Sequence, residues 1–321
     1  MARHPCRAVR QERGRSFPSD RPRLAHDAIT RHFRGMTEVP TGQAIRLGPL
    51  VTRVLAPNPS PYTFTGTQTH LVGTTQLAVI DPGPDDPAHL AALLEAIDGR
   101  ETVAIVCTHT HRDHSPLSRA LKVATGAPIV GCAPLALDDA GTRPAAAFDF
   151  DYVPDRVLGE GDVVDGDGWT LEALATPGHT SNHLAFVLPQ VDALFTGDHV
   201  MGWSTSIVSP PDGDMGAYMA SLQKLMDRAD AVYYPGHGDA VIDNPQRLVR
   251  GMLGHRKQRE GQILRLVAAA PATVADMTRR MYVGIDPRLL PAAERSVLAH
   301  LIDLGRRGLA EEGEEGLWHA Q

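Results

Sequence analysis

Hydrophobic and polar positions form a regular pattern from about residue 50 onwards. Short apolar and β-branched runs bounded by turn residues predict strands at residues 51–55, 69–72, 77–80, 102–107, 129–131, 169–175, 184–188, 193–196 and 232–234. Apolar residues at helical spacing predict helices at residues 87–97, 117–125, 213–228 and 245–268. The run at residues 102–107 is apolar throughout, which is typical of a strand buried on both faces. We therefore expect a domain of mixed strands and helices over residues 41–250.

The C-terminal part of the chain has a different pattern. Helices are predicted at residues 273–281 and 290–304, and residues 309–318 indicate a short hairpin. Together with the long helix that precedes them, these elements predict a small winged-helix-like domain at residues 251–321. No internal repeat with a period of 20–50 residues interrupts this two-domain organisation.

The N-terminal segment lacks a sustained helical or strand period. It is rich in Arg and Pro, and we expect residues 1–40 to form a disordered extension. The same composition fits a transit peptide, and a natural start at Met36 is a third interpretation. All three interpretations place this segment outside the folded part of the chain.

The composition is that of an ordinary globular protein, with 42% hydrophobic and 21% charged residues. No apolar run reaches the roughly 18 residues that a membrane-spanning helix needs. The first residues also lack the apolar stretch of a secretory signal, so we expect a cytoplasmic protein with no membrane partner. Its three cysteines, Cys6, Cys107 and Cys132, are too few to predict a disulfide framework.

The formal net charge of −7 is unevenly distributed. Arg dominates the first 40 residues, whereas the acidic residues are concentrated in the central segment. This balance does not predict a broad nucleic-acid-binding surface.

Histidine is unusually abundant, with 15 copies, and several of them occur in short clusters with aspartate. Each of four such segments lies in a turn directly after a predicted strand, where side chains from different strands can converge. The candidate residues are His109, His111, Asp113 and His114 in the first segment, His179 in the second, Asp198 in the third and His237 in the fourth. A single histidine in a turn is usually a surface or capping residue, but four segments of this kind indicate a metal site.

The residue types in these segments suit a pair of metal ions. Neutral imidazole and carboxylate groups bind zinc, and with less preference iron or manganese. Five histidines and two aspartates are enough for two ions, and the two oxygens of Asp198 allow it to bridge them. We therefore expect a zinc-dependent hydrolase in which a metal-bridging hydroxide attacks a carbonyl or phosphoryl centre. Asp113 and Asp198 are the predicted catalytic carboxylates.

The pattern His-x-His-x-Asp-His at residues 109–114, followed by His179, Asp198 and His237, resembles the metallo-β-lactamase fold superfamily. The resemblance implies an α/β fold, an αββα sandwich with the metal ions at one edge between two sheets. It assigns three residues to each of two ions and one residue to both: His109, His111 and His179 to the first ion, Asp113, His114 and His237 to the second, and Asp198 to both.

Two further segments resemble a narrower group, the lactamase-β-like protein 2 proteins. They are residues 255–264, which precede the predicted winged helix, and the entry segment at residues 58–73. This resemblance implies cleavage of phosphodiesters in single-stranded RNA. Gln68 and His70 differ from the Asn and Tyr typical of the group, and this difference could alter the substrate pocket.

Other functions remain as alternatives. A hydrolase of small thioesters or esters, of the glyoxalase II type, fits the metal residues equally well. True zinc β-lactamases and mononuclear iron persulfide dioxygenases fit less well, because Asp198 and the complete second set of metal residues differ from their patterns. A winged-helix regulator that binds nucleic acid is an alternative of another class, although the predicted helix at residues 290–304 lacks a basic face. A role of the C-terminal domain in homodimer formation is expected instead.

Several residues outside the ligand set have open roles. His183 and His199 could contact substrate or make structural hydrogen bonds, and the segment beginning at Trp203 could line the pocket or simply pack. Arg112 and the basic run of Arg256, Lys257 and Arg259 are expected to be exposed to solvent. Such a run could contact a phosphate backbone only if it lies beside the active-site cleft.

Overall fold

The structure is a computed structural model that describes residues 40–136 and 147–321. The predictions of disorder, of a transit peptide and of a start at Met36 concern residues 1–40. Only Pro40 of this segment belongs to the described residues. Within the described ranges, the chain forms two β-sheets, six helices and a C-terminal hairpin.

The first sheet has seven strands, in spatial order β1 to β7. They are β1 (Ala44–Arg46), β2 (Val51–Leu55), β3 (Gln68–Val72), β4 (Gln76–Ile80), β5 (Glu101–Cys107), β6 (Ile129–Gly131) and β7 (Arg156–Val157). Strands β1 to β4 pair antiparallel, whereas β4 to β7 pair parallel. The parallel strands therefore end at the same edge of the sheet.

The second sheet has five strands, in spatial order β12-β11-β10-β9-β8. They are β8 (Val163–Gly166), β9 (Trp169–Ala175), β10 (Leu184–Leu188), β11 (Ala193–Gly197) and β12 (Val232–Pro235). Strand β12 is parallel to β11, and β9 runs in the same direction because two antiparallel pairings separate it from β11. Three strands of this sheet therefore also end at one edge.

The helices lie on the outer faces of the two sheets and in the C-terminal part. They are α1 (Pro87–Ile97), α2 (Ser118–Thr125), α3 (Met215–Met226), α4 (Pro245–Ala269), α5 (Val274–Met281) and α6 (Leu290–Arg306). The hairpin consists of β13 (Ala310–Glu312) and β14 (Trp318–Ala320), which pair antiparallel. None of the helices in the described ranges combines the length and apolar character needed to cross a bilayer.

Strand β10 shows how the layers pack. All five of its residues are buried, and alternate residues point to opposite faces. Leu184, Phe186 and Leu188 belong to the core between the two sheets, whereas Ala185 and Val187 pack in a second core beneath α3 and α4. Helices α1 and α2 cover the outer face of the first sheet. The predicted αββα sandwich is confirmed.

Helix α4 belongs to both parts of the chain. Val249, Met252 and Leu253 in its first half pack under the second sheet, whereas Ile263 and Val267 pack in a third core with α5, α6 and Trp318 of the hairpin. Ala299 of α6 also belongs to the core beneath the second sheet. The predicted winged-helix-like domain is thus present and shares one continuous helix with the sandwich.

Candidate metal centre

Strands from the two sheets end at one edge of the sandwich, where the predicted metal residues lie. The segment of residues 109–114 follows β5, His179 follows β9, Asp198 follows β11 and His237 follows β12. Because the carboxyl ends of these strands point to the same edge, their turns place polar side chains in one crevice. The structure brings all seven predicted residues together there.

The first group of metal residues contains His109, His111 and His179, whose ring nitrogens face one another. Nδ1 of His111 lies 3.0 Å from Nε2 of His109 and 3.0 Å from Nε2 of His179. His179 donates its Nδ1 proton to the carbonyl of Ile207 at 2.6 Å, so its Nε2 is a lone pair. His109 Nδ1 donates to Thr108 Oγ1, whose own proton goes to Asp81.

This arrangement fits a cation and not a hydrogen-bond network. His111 Nδ1 can carry one proton at most, so it cannot donate to both neighbouring lone pairs at once. Two nitrogens bound to one tetrahedral ion at about 2.0–2.1 Å lie about 3.3 Å apart, close to the separations of these atoms. The three imidazoles therefore have the donor geometry of a metal site.

The second group contains His114, His237 and Asp113, and its ring nitrogens also face one another. Nε2 of His114 and Nε2 of His237 face each other at 3.3 Å. In the neutral imidazole that binds a metal ion, each Nε2 is a lone pair, because His114 Nδ1 donates to Asp81 at 2.9 Å and His237 Nδ1 donates to the carbonyl of Gly66 at 3.1 Å. Asp113 Oδ2 lies 3.1 Å from His237 Nε2 and 3.6 Å from His114 Nε2, which completes a second donor set.

Asp198 connects the two groups through its two oxygens. Oδ2 lies 3.5 Å from Nε2 of His179 in the first group, whereas Oδ1 lies 3.4 Å from Nε2 of both His114 and His237 in the second. Oδ1 is buried and has no hydrogen-bond partner among the described residues. A buried carboxylate oxygen without a partner is costly, and a cation would satisfy it.

The electrostatics of the two groups differ. Burial, together with the neighbouring imidazoles, lowers the pKa of His111 to about 3. For His114, burial alone would lower the pKa, but the carboxylates of Asp113, Asp198 and Asp81 outweigh it and raise the pKa well above its usual value. Burial would raise the pKa of Asp198, but His237 and His114 outweigh it and hold the pKa well below its usual value. The carboxylate is thus ionised as a metal ligand must be, and a metal ion in the second group would replace the extra proton that these carboxylates hold on His114.

Asp81 contacts both groups of metal residues and was not among the candidates predicted from the sequence. Its Oδ1 accepts from the backbone N–H of Thr108 at 2.8 Å, and its Oδ2 accepts from Thr108 Oγ1 at 2.8 Å and from His114 Nδ1. It thereby fixes the ring orientation of one residue in each metal group, directly for His114 and through Thr108 for His109. Asp81 directly follows β4, and β4 is parallel to β5, so the residues after both strands lie at the same edge of the sheet. This position was the sequence signal that could have identified Asp81.

Gly236 allows the backbone to approach the metal residues. A Cβ atom there would lie 2.7 Å from Cε1 of His114 and 2.8 Å from Oδ1 of Asp198. No side chain fits at such distances, so the Pro-Gly-His sequence of the last segment is required by space as well as by the turn.

The ambiguous histidines have structural hydrogen bonds or packing roles. His183 is buried, its Nδ1 lies 2.8 Å from Thr176 Oγ1, and its Nε2 accepts from the backbone N–H of Asp198 at 3.2 Å. His199 packs against the ring of Tyr218, and His70 packs in the core between Phe195 and Tyr234. His70 is therefore a core residue and not part of the pocket wall.

Aromatic side chains flank the crevice on two sides. Phe64 and Trp203 stack with ring centroids 4.8 Å apart. Both members of this pair are close to His237. The carbonyl of Gly66, two residues after Phe64, accepts a hydrogen bond from His237 Nδ1, and the Trp203 ring lies against Gly238. On the other side, the ring of Phe148 lies 4.8 Å from that of His111. Aromatic rings therefore pack next to residues of both metal groups; Phe148 is buried, whereas the Phe64–Trp203 pair is partly exposed.

The interpretation of the basic run as a solvent-exposed face is wrong for Arg256. Its side chain is buried, with 2% of the residue exposed, and it donates to the carbonyl of Ser206. Lys257 is exposed as expected, whereas Arg259 lies over the ring of Tyr282. Arg112 is exposed and donates its Nε proton to the carbonyl of Phe148 at 3.0 Å. The helical spacing of α4 explains the difference, since consecutive residues point in different directions.

Two family models match the chain. The model described as the metallo-beta-lactamase superfamily matches residues 62–237, and the model described as the beta-lactamase-associated winged helix domain matches residues 273–318. The first match contains every predicted metal residue, and the second contains α5, α6 and most of the hairpin.

Similar curated proteins carry two kinds of name. An atrochrysone carboxyl ACP thioesterase of Claviceps purpurea is 31% identical over 74% of this chain and 71% of its own length. A beta-lactamase-like protein 2 homolog of Caenorhabditis elegans is 32% identical over 83% of this chain and 88% of its own length. The second name is that of the group that the tail and entry segments resemble, so that resemblance is confirmed.

Solved structures share the fold. A beta-lactamase domain protein from Burkholderia ambifaria covers 90% of this chain and 96% of its own, with 20% identity and a TM-score of 0.74. A metallo-beta-lactamase family protein from Thermus thermophilus covers 86% and 100%, with 21% identity and a TM-score of 0.71. At this identity the two structures establish the architecture alone.

Proposed function

The chain belongs to the metallo-β-lactamase superfamily of hydrolases, and we propose that it hydrolyses acyl thioesters at a centre of two zinc ions. The observation that carries the proposal is the orientation of Asp198. Its two oxygens face two separate sets of imidazole nitrogens, and the Phe64–Trp203 pair lies next to His237 of the second set through Gly66 and Gly238.

The residues fit zinc because five imidazoles and two carboxylates offer nitrogen and oxygen donors of the type that zinc binds, with iron or manganese as alternatives. Two divalent ions bound there would lower the pKa of a bound water and stabilise negative charge that develops on the attacked group. In this proposal, the carboxylates of Asp113 and Asp198 would accept a hydrogen bond from the attacking water. Asp81 keeps the imidazoles of His109 and His114 in orientation during the reaction.

Two features favour an acyl thioester as the substrate. The partly exposed aromatic pair provides apolar surface next to His237, which suits an acyl group better than a polyanion. In addition, a similar protein over most of its length is named as a carboxyl ACP thioesterase. The thioester carbonyl would lie over the metal residues, with its acyl part against the aromatic pair.

Single-stranded RNA, the substrate that the sequence resemblance implies, has less support. The names of the two similar curated proteins described above do not mention RNA, and Arg256, which was a candidate for a phosphate contact, is buried. The carboxylates of Asp113 and Asp198 add negative charge at the crevice, which disfavours a phosphate backbone unless metal ions offset it. RNA therefore serves as a competing substrate in the test.

The test is a substrate panel with the full-length chain loaded with zinc. The panel contains acyl-coenzyme A thioesters with aliphatic and aromatic acyl groups, S-lactoylglutathione, a labelled single-stranded RNA and a β-lactam. Asp198→Ala is the matched variant, because it removes the carboxylate that faces both donor sets and leaves the buried residues of β11 and α3 unchanged.

We expect the acyl-coenzyme A thioesters to be cleaved with the highest kcat/KM, and Asp198→Ala to lose at least about a hundredfold of that activity. Cleavage of RNA at a higher kcat/KM than any thioester would overturn the substrate assignment. Full activity of Asp198→Ala would overturn the catalytic assignment as well.

A further inference from the structure

The loop of residues 198–209 carries two groups on which the metal centre depends. It begins with Asp198, which faces both donor sets, and it contains Ile207, whose carbonyl fixes the tautomer of His179. Neither group can hold its position unless the loop itself is fixed, because both are attached to the same irregular segment between β11 and α3.

Arg256 of α4 fixes this loop from outside the metal crevice. Its guanidinium donates to the carbonyl of Ser206, the residue directly before Ile207. The hydroxyl of Ser206 in turn lies within hydrogen-bond distance of the carbonyls of Asp198 and His199, 3.0 Å in the latter case. A continuous path of contacts thus runs from Arg256 to the backbone of Asp198.

A second path starts from the same guanidinium. The Cζ atom of Arg256 lies 5.3 Å from the centroid of the Tyr218 ring, in a cation–π arrangement. The hydroxyl of Tyr218 donates to the carbonyl of His199 at 3.1 Å. Arg256 therefore supports the start of the loop through Tyr218 and its later part through Ser206.

Burial of the charged Arg256 side chain costs free energy that simple packing in the core does not require. Arg256 is 2% exposed, forms no ion pair with a carboxylate of the described residues, and leaves Nε without a hydrogen-bond partner among them. An isolated buried charge is destabilising, and an apolar side chain of similar volume would usually be tolerated better in such a position. The cost indicates a role that depends on the donor geometry of the guanidinium.

We propose that Arg256 is a positioning residue of the metal centre, through which the helix shared with the C-terminal domain holds the loop of residues 198–209. Arg295 of α6 supports the same loop at its far end by donating to Ser209 Oγ at 3.0 Å. The proposal rests on the metal centre of the proposed function and is independent of the thioester substrate.

The test compares Arg256→Gln and Arg256→Lys with Arg259→Gln in the full-length chain. Arg259 lies on the same helix but contacts Tyr282, Gln262 and the carbonyl of Met281, all within the C-terminal part. Zinc affinity is measured by competition with a chromophoric chelator, and the unfolding midpoint is measured on the metal-free chains. The second measurement separates loss of fold from loss of metal positioning.

We expect Arg256→Gln to weaken zinc binding about tenfold or more, as removal of an outer support of a metal ligand typically does. Arg256→Lys should be intermediate, because lysine can donate to Ser206 but lacks the planar group that lies over Tyr218. Arg259→Gln should lower the unfolding midpoint and leave zinc affinity unchanged. Equal zinc affinity of Arg256→Gln and the native chain, or an equal loss in Arg259→Gln, would overturn the proposal.

Ser206→Ala provides a second variant if Arg256→Gln does not fold. It removes only the hydroxyl that contacts the carbonyls of Asp198 and His199, and a loss of zinc affinity is again expected. Unchanged affinity in Ser206→Ala would contradict the proposed path. A native chain that binds no zinc would contradict the proposed function instead, so the two failures are distinguishable.

Discussion

At the scale of single residues, four histidines of the metal centre are oriented by a hydrogen bond from the ring nitrogen that faces away from it. His179 and His237 use backbone carbonyls, whereas His109 and His114 depend on Thr108 and Asp81. Such outer contacts fix the tautomer and hold the ring, so they are expected to control metal affinity.

Asp81 provides the sharpest test of this view. Replacement of Asp81 by Ala should weaken zinc binding by about 10–100-fold, because it frees the rings of His109 and His114 while leaving both side chains in place. The measurement is chelator competition on the purified chain. Asp86→Ala is the control, since Asp86 caps α1 by accepting from the backbone N–H of His89, away from the metal residues. Equal zinc affinity in the two variants would contradict the role of Asp81.

Trp203 tests whether the aromatic pair binds the acyl group. Trp203→Ala should raise KM for an aromatic acyl thioester by about two- to twelvefold, the equivalent of about 0.5–1.5 kcal/mol of aromatic packing, with a smaller change in kcat. Trp203→Phe retains a ring and should stay close to the native KM. Steady-state kinetics check this, together with metal content. A change in kcat alone, or a loss of metal, would show that Trp203 supports His237 and not the substrate.

The sequence predicted all seven residues that the structure brings together, because each lies in a turn after a strand and carries a metal-binding group. It did not predict the roles of Asp81 and Arg256. The pattern around Asp81 is that of an ordinary turn, and the burial of Arg256 depends on which face of α4 packs against Tyr218. Such contacts between distant segments have no local signature.

At the scale of secondary structure, long and apolar elements were predicted well, whereas short and exposed ones were missed. Helix α1 and strands β2, β6, β9 and β10 have the predicted bounds. Strands β1, β7 and β8 were not predicted. Most of their residues are exposed or half-buried, so they lack the apolar pattern by which strands are recognised.

Helix α6 carries a buried titratable residue that makes the stability of the C-terminal part depend on pH. Neither ring nitrogen of His300 has a hydrogen-bond partner among the described residues. Burial, followed by the charges of Arg256, His255, Arg307 and Arg259, lowers its pKa from 6.5 to about 3. The unfolded chain therefore binds more protons than the folded chain between these values, and stability is lost as the pH falls through that window.

His300→Leu should make this loss shallower. The expected difference in slope is up to about 1.4 kcal/mol per pH unit between the two pKa values, because one titrating group is removed. Urea unfolding of the metal-free native and variant chains at several pH values between about 7 and about 4 measures it. Parallel curves for the two chains would contradict the assignment.

At the scale of the whole molecule, the sandwich and the C-terminal domain are joined by more than a linker. Helix α4 contributes to the cores of both, Ala299 of α6 packs beneath the second sheet, and Arg256 and Arg295 reach the loop that carries Asp198. These contacts make the winged-helix-like domain a neighbour of the segment that supports the metal centre. The sequence predicted the domain, but its contacts with the loop could not be inferred from helical periodicity.

The number of metal ions per chain tests the central claim, that seven side chains form two adjoining sites which Asp198 connects. The measurement is the zinc content of the full-length chain by mass spectrometry after zinc loading and removal of excess. We expect about two ions per native chain, and about one in each of His111→Ala and His114→Ala, because each variant removes a donor from one group alone. One ion in the native chain, unchanged in His114→Ala, would contradict the claim.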